Sequence, residues 1–162
     1  MALRKSRVAC DRGAKVSNSD YIPSKAAWVR DQVELYERTN GAEGTTIGDP
    51  PLPVVIITHR GRKTGAIRKS PVMRAVDGSN YILVASLGGA PENPSWYYNL
   101  VSNPNVEIRD KSVVQSMNVQ EISDPAEKKR LWDIAVAAYP PYTEYQDKTD
   151  RVIPVLLATP TG

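Results

Sequence analysis

The stretch from His59 to Lys69 carries Arg60, Arg62, Lys63, Arg68 and Lys69 and no acidic residue. Within it, Lys63-Thr64-Gly65 sets backbone amides, a hydroxyl and an ammonium side by side. Such a turn can wrap a phosphate or a carboxylate, because exposed N–H groups and cations converge on it. Arg68 lies just beyond and can close over the same anion as a planar fork. The plainer alternative is an exposed basic loop that stays solvated. Nucleic acid is another anionic option, but few aromatics interleave with these cations, so no base-stacking surface is suggested. The order is not that of a Walker loop, since no Gly-x-x-x-x-Gly-Lys-Ser/Thr run precedes a helix. A serine β-lactamase reading also fails, because the Ser-x-x-Lys and Ser-Asp-Asn partners of Lys-Thr-Gly are missing.

Two further segments favour a ligand. Val84-Ala85-Ser86-Leu87-Gly88-Gly89 reads as a strand that ends in small residues, where glycines let backbone approach a bound group. A helix start follows at Asn93-Pro94-Ser95, with Asn93 as its cap, and presents unpaired amides toward an anion or a polar ring edge. Trp96 and Tyr97 in that helix have plain core packing as the alternative, which is the more common role for aromatics at such spacing. In the third segment, Tyr139-Pro140-Pro141-Tyr142 with Tyr145 clusters three tyrosines beside two prolines. They can wall a pocket for a flat organic molecule, or pack a helix end onto the body of the domain.

No catalytic triad, paired carboxylates or metal cluster emerges. His59 is the only histidine and Cys10 the only cysteine, which leaves few soft ligands for zinc, so no metal is expected. His59 has no partner identifiable from sequence and makes a weak candidate for a general base. Much binding chemistry with few acid–base groups suits a bound cofactor that carries the reaction itself.

The elements that must position these residues follow from periodicity and turn signals. Residues 1–20 are basic and poor in apolar content, and read as a disordered tail; residues 21–162 read as one domain. Three- and four-residue spacings predict a helix from Ser24 to Thr39, stopped at Asn40-Gly41. It either lies on the domain or rests on a membrane surface, helped by the basic tail. Residues 41–53 read as a loop. Val54 to His59 is a β-branched run and reads as a buried strand. Strands are expected from Ile67 to Val76 and from Asn80 to Ser86, joined at Asp77-Gly78. A second hairpin joins Val106–Arg109 and Val113–Ile122 around Asp110-Lys111. Ser123-Asp124-Pro125 opens a helix to about Ala138, a short helical turn covers Tyr142 to Lys148, and a last strand covers Val152 to Ala158. Regular βαβ alternation is missing, so an α+β domain built on a small antiparallel barrel fits best.

Composition narrows the class further. The 162 residues are 41% hydrophobic with a net charge of +3, so the placement of charge matters more than its total. No apolar run approaches the roughly 18 residues of a spanning helix. No apolar segment follows the basic N-terminus, which argues against a signal peptide. A lone cysteine makes a cytoplasmic location the default. Phe is absent beside eight Tyr and three Trp, so the aromatic surface is mostly polar-tipped.

Taken in order, Gly61-Arg62-Lys63-Thr64-Gly65-x-x-Arg68, Val84-Ala85-Ser86-x-Gly88-Gly89-Ala90, Asn93-Pro94-x-Trp96-Tyr97-x-Asn99-Leu100 and Asn103-Pro104 resemble the deazaflavin-dependent nitroreductase family. The tail Tyr139-Pro140-x-Tyr142-x-x-Tyr145-Gln146-x-x-Thr149-x-Arg151-x-Ile153-Pro154-Val155 is similar too, and the likeness covers roughly Thr45 to Pro160. The resemblance implies a split antiparallel β-barrel with flanking helices, of the FMN-binding and pyridoxamine-phosphate-oxidase-like kind. It implies coenzyme F420 as cofactor, with FMN as the alternative on the same barrel. By that likeness Arg62, Lys63, Thr64, Gly65 and Arg68 hold the phosphate end. Lys69, Ser70, Pro71, Val72, Met73, Val84, Ala85, Ser86, Leu87, Ser95, Trp96, Tyr97, Tyr98, Asn99 and Tyr142 line the cofactor. Met73, Ser86, Tyr139, Tyr142 and Tyr145 border the acceptor, with Ser86 and Tyr142 as the catalytic candidates. The implied activity is hydride transfer to a menaquinone-like quinone or a nitroaromatic; a cofactor or lipid carrier without turnover is the alternative. Partners are then small molecules and not nucleic acid, with peripheral contact at the inner face of the membrane and a homo-oligomer both compatible. Two positions depart from the family pattern. Met73 stands where the activator of nitroimidazole prodrugs has tyrosine, which makes the acceptor wall soft and apolar. Leu87 stands where many members have lysine, which removes one cation near the cofactor.

Overall fold

The computed structural model describes residues 20–161. The basic tail over residues 1–19, with Cys10 in it, lies outside that range. Helix α1 (Ala27–Arg38) is followed by strands β1 (Thr46–Ile47), β2 (Leu52–Arg60), β3 (Ile67–Met73), β4 (Val76–Asp77) and β5 (Asn80–Val84). A single 3₁₀ turn at Leu87–Gly89 leads to α2 (Ser95–Ser102). Then come β6 (Asn105–Asp110), β7 (Val113–Glu121), α3 (Pro125–Ala138), α4 (Tyr142–Asp147) and β8 (Val155–Pro160).

All strand pairs are antiparallel, and the sheet runs β1-β2-β6-β7-β8-β5-β4 with β3 paired to β2. Only Arg74 and Ala75 separate β3 from β4, yet β3 pairs β2 and β4 pairs β5. This bend carries the chain from one end of the path to the other and curls the sheet into a split barrel with flanking helices. The bend interrupts the strand expected from Ile67 to Val76. The Arg74 amide makes a last bond along the β2–β3 register, to the Pro53 carbonyl, and the Arg74 side chain pairs with Asp110 at 2.8 Å.

The continuous apolar run of β2 is explained by burial of both its faces. Val55 and Ile57 point into the barrel with Leu83, Ile108, Met117 and Leu156, where α2 adds Leu100. Val54 and Ile56 point outward and are covered by Val33 and Tyr36 of α1. Successive strand residues face opposite sides, so a helix on the outside is what permits such a run. The Tyr36 hydroxyl donates to the Val54 carbonyl (3.0 Å) and accepts from the Lys111 amide (2.8 Å), clipping α1 to β2 and to the β6–β7 turn. On the other side α3 and α4 cover Ile82, Val84 and Val155 through Leu131, Ala135 and Tyr142. By contrast β7 alternates, burying Met117 and Val119 and exposing their neighbours.

Asp124 caps α3 by accepting from the Glu127 amide at 2.9 Å, with Pro125 at the first helical position, as the sequence suggests. Asn93 does not cap α2. The backbone of Pro94 occupies that position, and the Asn93 carboxamide accepts from Arg151 instead (2.6 Å).

The 3₁₀ turn meets α4 through Gly89. A Cβ there would stand 2.7 Å from the Tyr145 carbonyl and 3.1 Å from the Lys148 Cβ, at a φ of +84°. Left-handed backbone and overpacking each cost a non-glycine residue about 1–2 kcal/mol or more. Gly89→Ala is therefore expected to destabilise the fold by about 2–4 kcal/mol in urea unfolding. Gly78→Ala is the control: its φ is +65° with nothing within 4 Å, so it should lose only the backbone part.

Candidate functional site

Helix α1, strands β2 and β3, the Leu87 turn and the start of α2 enclose a cleft of about 280 Å³. Its walls are Ser24, Trp28 and Val29, then His59, then Arg68, Lys69, Ser70 and Pro71. Leu87, Pro94, Ser95, Trp96 and Asn99 complete it. Trp28 and Leu87 remain largely exposed on its rim, and Leu87 holds a left-handed φ of +45°.

The basic turn adjoins this cleft. Gly61 closes it at both ends, donating to the Ala66 carbonyl (2.7 Å) and accepting from the Gly65 amide (2.8 Å). The Thr64 hydroxyl accepts from the Ala66 amide at 3.1 Å. The amides of Lys63 and Thr64 have no partner among the described residues. Arg60, Arg62, Lys63 and Arg68 form no salt bridge among the described residues either, whereas Lys69, Arg74 and Arg130 do. The turn thus presents unneutralised positive charge and unpaired N–H groups together, which is the donor set an extended polyanion requires.

Turn and cleft are joined by a polar chain. The Arg62 amide donates to Asn99 Oδ1 (2.9 Å), and Asn99 Nδ2 lies 3.2 Å from His59 Nδ1. His59 Nε2 lies 3.1 Å from Ser70 Oγ. The register explains the last contact: His59 pairs with Arg68, so Ser70 is its diagonal neighbour on the same face. His59 and Asn99 are buried, and burial, helped by the Arg68 charge, lowers the imidazole pKa to about 4. The ring is therefore neutral near pH 7. Lys69 Nζ meets both carboxylate oxygens of Glu37 (2.8 and 2.9 Å) and lies over the Tyr21 ring. The Arg62 guanidinium lies 5.0 Å from the Tyr98 ring centre.

Other residues singled out in the sequence stand apart from the cleft walls. Val72 packs on the barrel interior, Val84 and Ala85 are buried in the two cores, and the Tyr97 hydroxyl donates to Glu121. Tyr139, Tyr142 and Tyr145 form one aromatic group with Trp132, and Met73 packs against the buried cluster to which Tyr142 belongs. The Tyr139 and Tyr145 hydroxyls are 2.7 Å apart. Tyr142 is buried, and burial first, then its tyrosine neighbours, pushes its pKa far above the ordinary value. Neither the Tyr142 nor the Ser86 hydroxyl has a hydrogen-bond partner among the described residues.

Sequence reasoning did not place Ser24, Trp28, Val29 or Pro94 at the cleft, nor find the two partners of His59. It also gave Arg151 no role. That guanidinium donates to the carbonyls of Ala85 (3.3 Å), Ser86 (2.8 Å) and Ala90 (2.9 Å) and to Asn93. It thereby fixes both ends of the 3₁₀ turn. Its place in the quoted tail motif was the only available signal.

Comparison with known proteins bears on this geometry. The family model described as F420H(2)-dependent quinone reductase matches residues 28–160. An F420H(2)-dependent quinone reductase of Mycobacterium tuberculosis is 40% identical over 129 residues, covering 77% of this chain and 85% of that protein. Among solved structures, an F420-H2 dependent reductase (FDR-A) is 44% identical with a TM-score of 0.62, covering 66% of this chain and 94% of its own. Another, described as a domain-swapped dimer, is 40% identical with a TM-score of 0.65, covering 84% and 100%.

Proposed function

Since the chain belongs to the F420H(2)-dependent quinone reductase family, and so is an oxidoreductase that uses coenzyme F420, we propose that it reduces a menaquinone-like quinone or a nitroaromatic. The observation that carries this reading is the unneutralised basic turn set against an aromatic-walled cleft. The residues fit the cofactor: Arg62, Lys63, Thr64, Gly65 and Arg68 suit its phosphate and carboxylates, and Ser70, Pro71, Trp96 and Asn99 suit a flat polar ring. When bound, reduced F420 supplies the hydride.

The chain's own contribution is binding, orientation and exclusion of water. Trp28, Val29 and Leu87 shield the cleft from solvent on the rim. Met73, Ser86, Tyr139, Tyr142 and Tyr145 border the acceptor in this proposal. The Ser86 hydroxyl is free to donate to an acceptor oxygen as charge develops on it. Tyr142 Oη keeps its proton at neutral pH, so in this proposal it too acts as a donor toward the acceptor. Exposed Trp28 and Leu87 offer an apolar rim for peripheral contact at the inner face of the membrane, where a lipid-soluble quinone resides. Among the described residues no helix is long and apolar enough to cross a membrane. A homo-oligomer belongs to the same proposal, supported by the dimeric relative.

One stopped-flow trace tests the activity. Reduced F420 is mixed with the protein and menadione, and recovery of the oxidised chromophore is followed. Recovery that depends on protein concentration is expected; a rate no faster than without protein would remove the reductase reading. With a nitroimidazole in place of menadione, slower recovery is expected, because Met73 offers no hydroxyl to the nitro group.

A further inference from the structure

Donor and acceptor roles along the chain from Arg62 to Ser70 are fixed from one end. A backbone N–H can only donate, so Asn99 Oδ1 accepts from Arg62. The other half of that carboxamide, Nδ2, can only donate, and it faces His59 Nδ1. A ring nitrogen that accepts carries no proton, so the neutral imidazole must carry it on Nε2. Nε2 then donates to Ser70 Oγ. Having accepted, the Ser70 hydroxyl keeps its own hydrogen to donate, and no other hydrogen bond engages it among the described residues. Ser70 lines the cleft.

We propose that His59 is a positioning residue that, with Asn99, turns Ser70 Oγ–H donor-first into the cleft, toward a carbonyl oxygen on the ring of bound F420. The inference rests on the reading of the cleft as the F420 site. It gives the buried histidine a task other than proton transfer: a ring held neutral, with both nitrogens engaged, imposes a direction on the next hydroxyl. Since the chain begins at the amide of Arg62, the same bonds tie the ring end of the ligand to the turn that would hold its charged end. A ligand presenting an N–H at that point would meet a donor and be disfavoured.

Two measurements decide the matter. His59 is the only histidine, so ¹⁵N-histidine labelling gives the signals of a single ring. At neutral pH the proton is expected on Nε2, with Nδ1 bare; a proton on Nδ1, or rapid exchange between the two, would overturn the proposal. Fluorescence titration with F420 then compares wild type, Ser70→Ala, His59→Leu, His59→Gln and the Ser70→Ala/His59→Leu pair. Loss of one hydrogen bond should weaken binding about 5–10-fold in Ser70→Ala and in His59→Leu. His59→Gln, which retains an acceptor and a donor, should recover most of that. Adding His59→Leu to Ser70→Ala should cost less than about twofold more, because both act through one bond. Fully additive losses would mean that His59 serves packing alone. If His59→Leu does not fold, the tautomer and Ser70→Ala still decide. Unchanged affinity in Ser70→Ala refutes this inference and leaves the F420 reading intact, whereas a wild-type protein that binds no F420 removes both.

Discussion

Replacing Lys63 and Arg68 together by alanine is expected to weaken F420 binding by roughly a hundredfold, with circular dichroism unchanged. Each charge-assisted contact to a phosphate or carboxylate contributes about 1.5–3 kcal/mol where water is excluded. Lys63 lies on an exposed turn and Arg68 is only half-buried, so screening reduces each to about 1.4 kcal/mol, or tenfold. Among the described residues neither cation forms a salt bridge, so removal strands no buried carboxylate there and the stability cost should be small. Salt supplies the internal check. Raising ionic strength to about 0.5 M should weaken wild-type binding clearly and the double variant little, because the screened charges have already gone. Equal affinity for wild type and variant at low salt would show that the turn holds no anion.

The largest expected loss of stability comes from Arg151, which no acidic residue neutralises among the described pairs and whose fork serves four acceptors. Arg151→Ala leaves the carbonyls of Ala85, Ser86 and Ala90 without this donor. At about 1 kcal/mol for each lost bond, the cost is about 3–5 kcal/mol in urea unfolding. Arg151→Lys keeps the charge but lacks the planar fork, and should recover less than half of the loss. F420 affinity should fall as well, since Leu87 lies on the tethered turn and lines the cleft. A lysine variant of wild-type stability would mean that charge alone, and not the fork, holds this turn.

Much of the framework was legible because it is local. The β-branched run of β2, the Asp77-Gly78 and Asp110-Lys111 turns and the Asp124-Pro125 helix start each carry their signal within a few residues. Where expectation and structure part, a distant partner intervenes. Residues 41–53 read as loop, yet Thr46–Ile47 pairs with Leu52 and Pro53. The last strand begins at Val155 instead of Val152, because the Ile153 amide is taken by the Gln146 side chain and Pro154 has no N–H to give to a ladder. Asn93 looked like a cap from its neighbours and is claimed by Arg151, 58 positions away. The cleft divides in the same way. The basic turn and the Ser95–Asn99 helix start were visible as motifs, but the wall supplied by Trp28 and Val29 depends on where α1 docks. The two partners of His59 depend on strand register and on the placement of α2, neither of which short-range spacing encodes.

The pairing of Lys69 with Glu37 also gives the cleft an electrical slope. Inside, that ammonium is already answered by a carboxylate; outside, at the Lys63 bend, positive charge is unanswered. An elongated molecule with one ionic end and one flat end would meet a compass here, ionic end outward, before any close contact formed. Ligands carrying charge at both ends would find no such bearing.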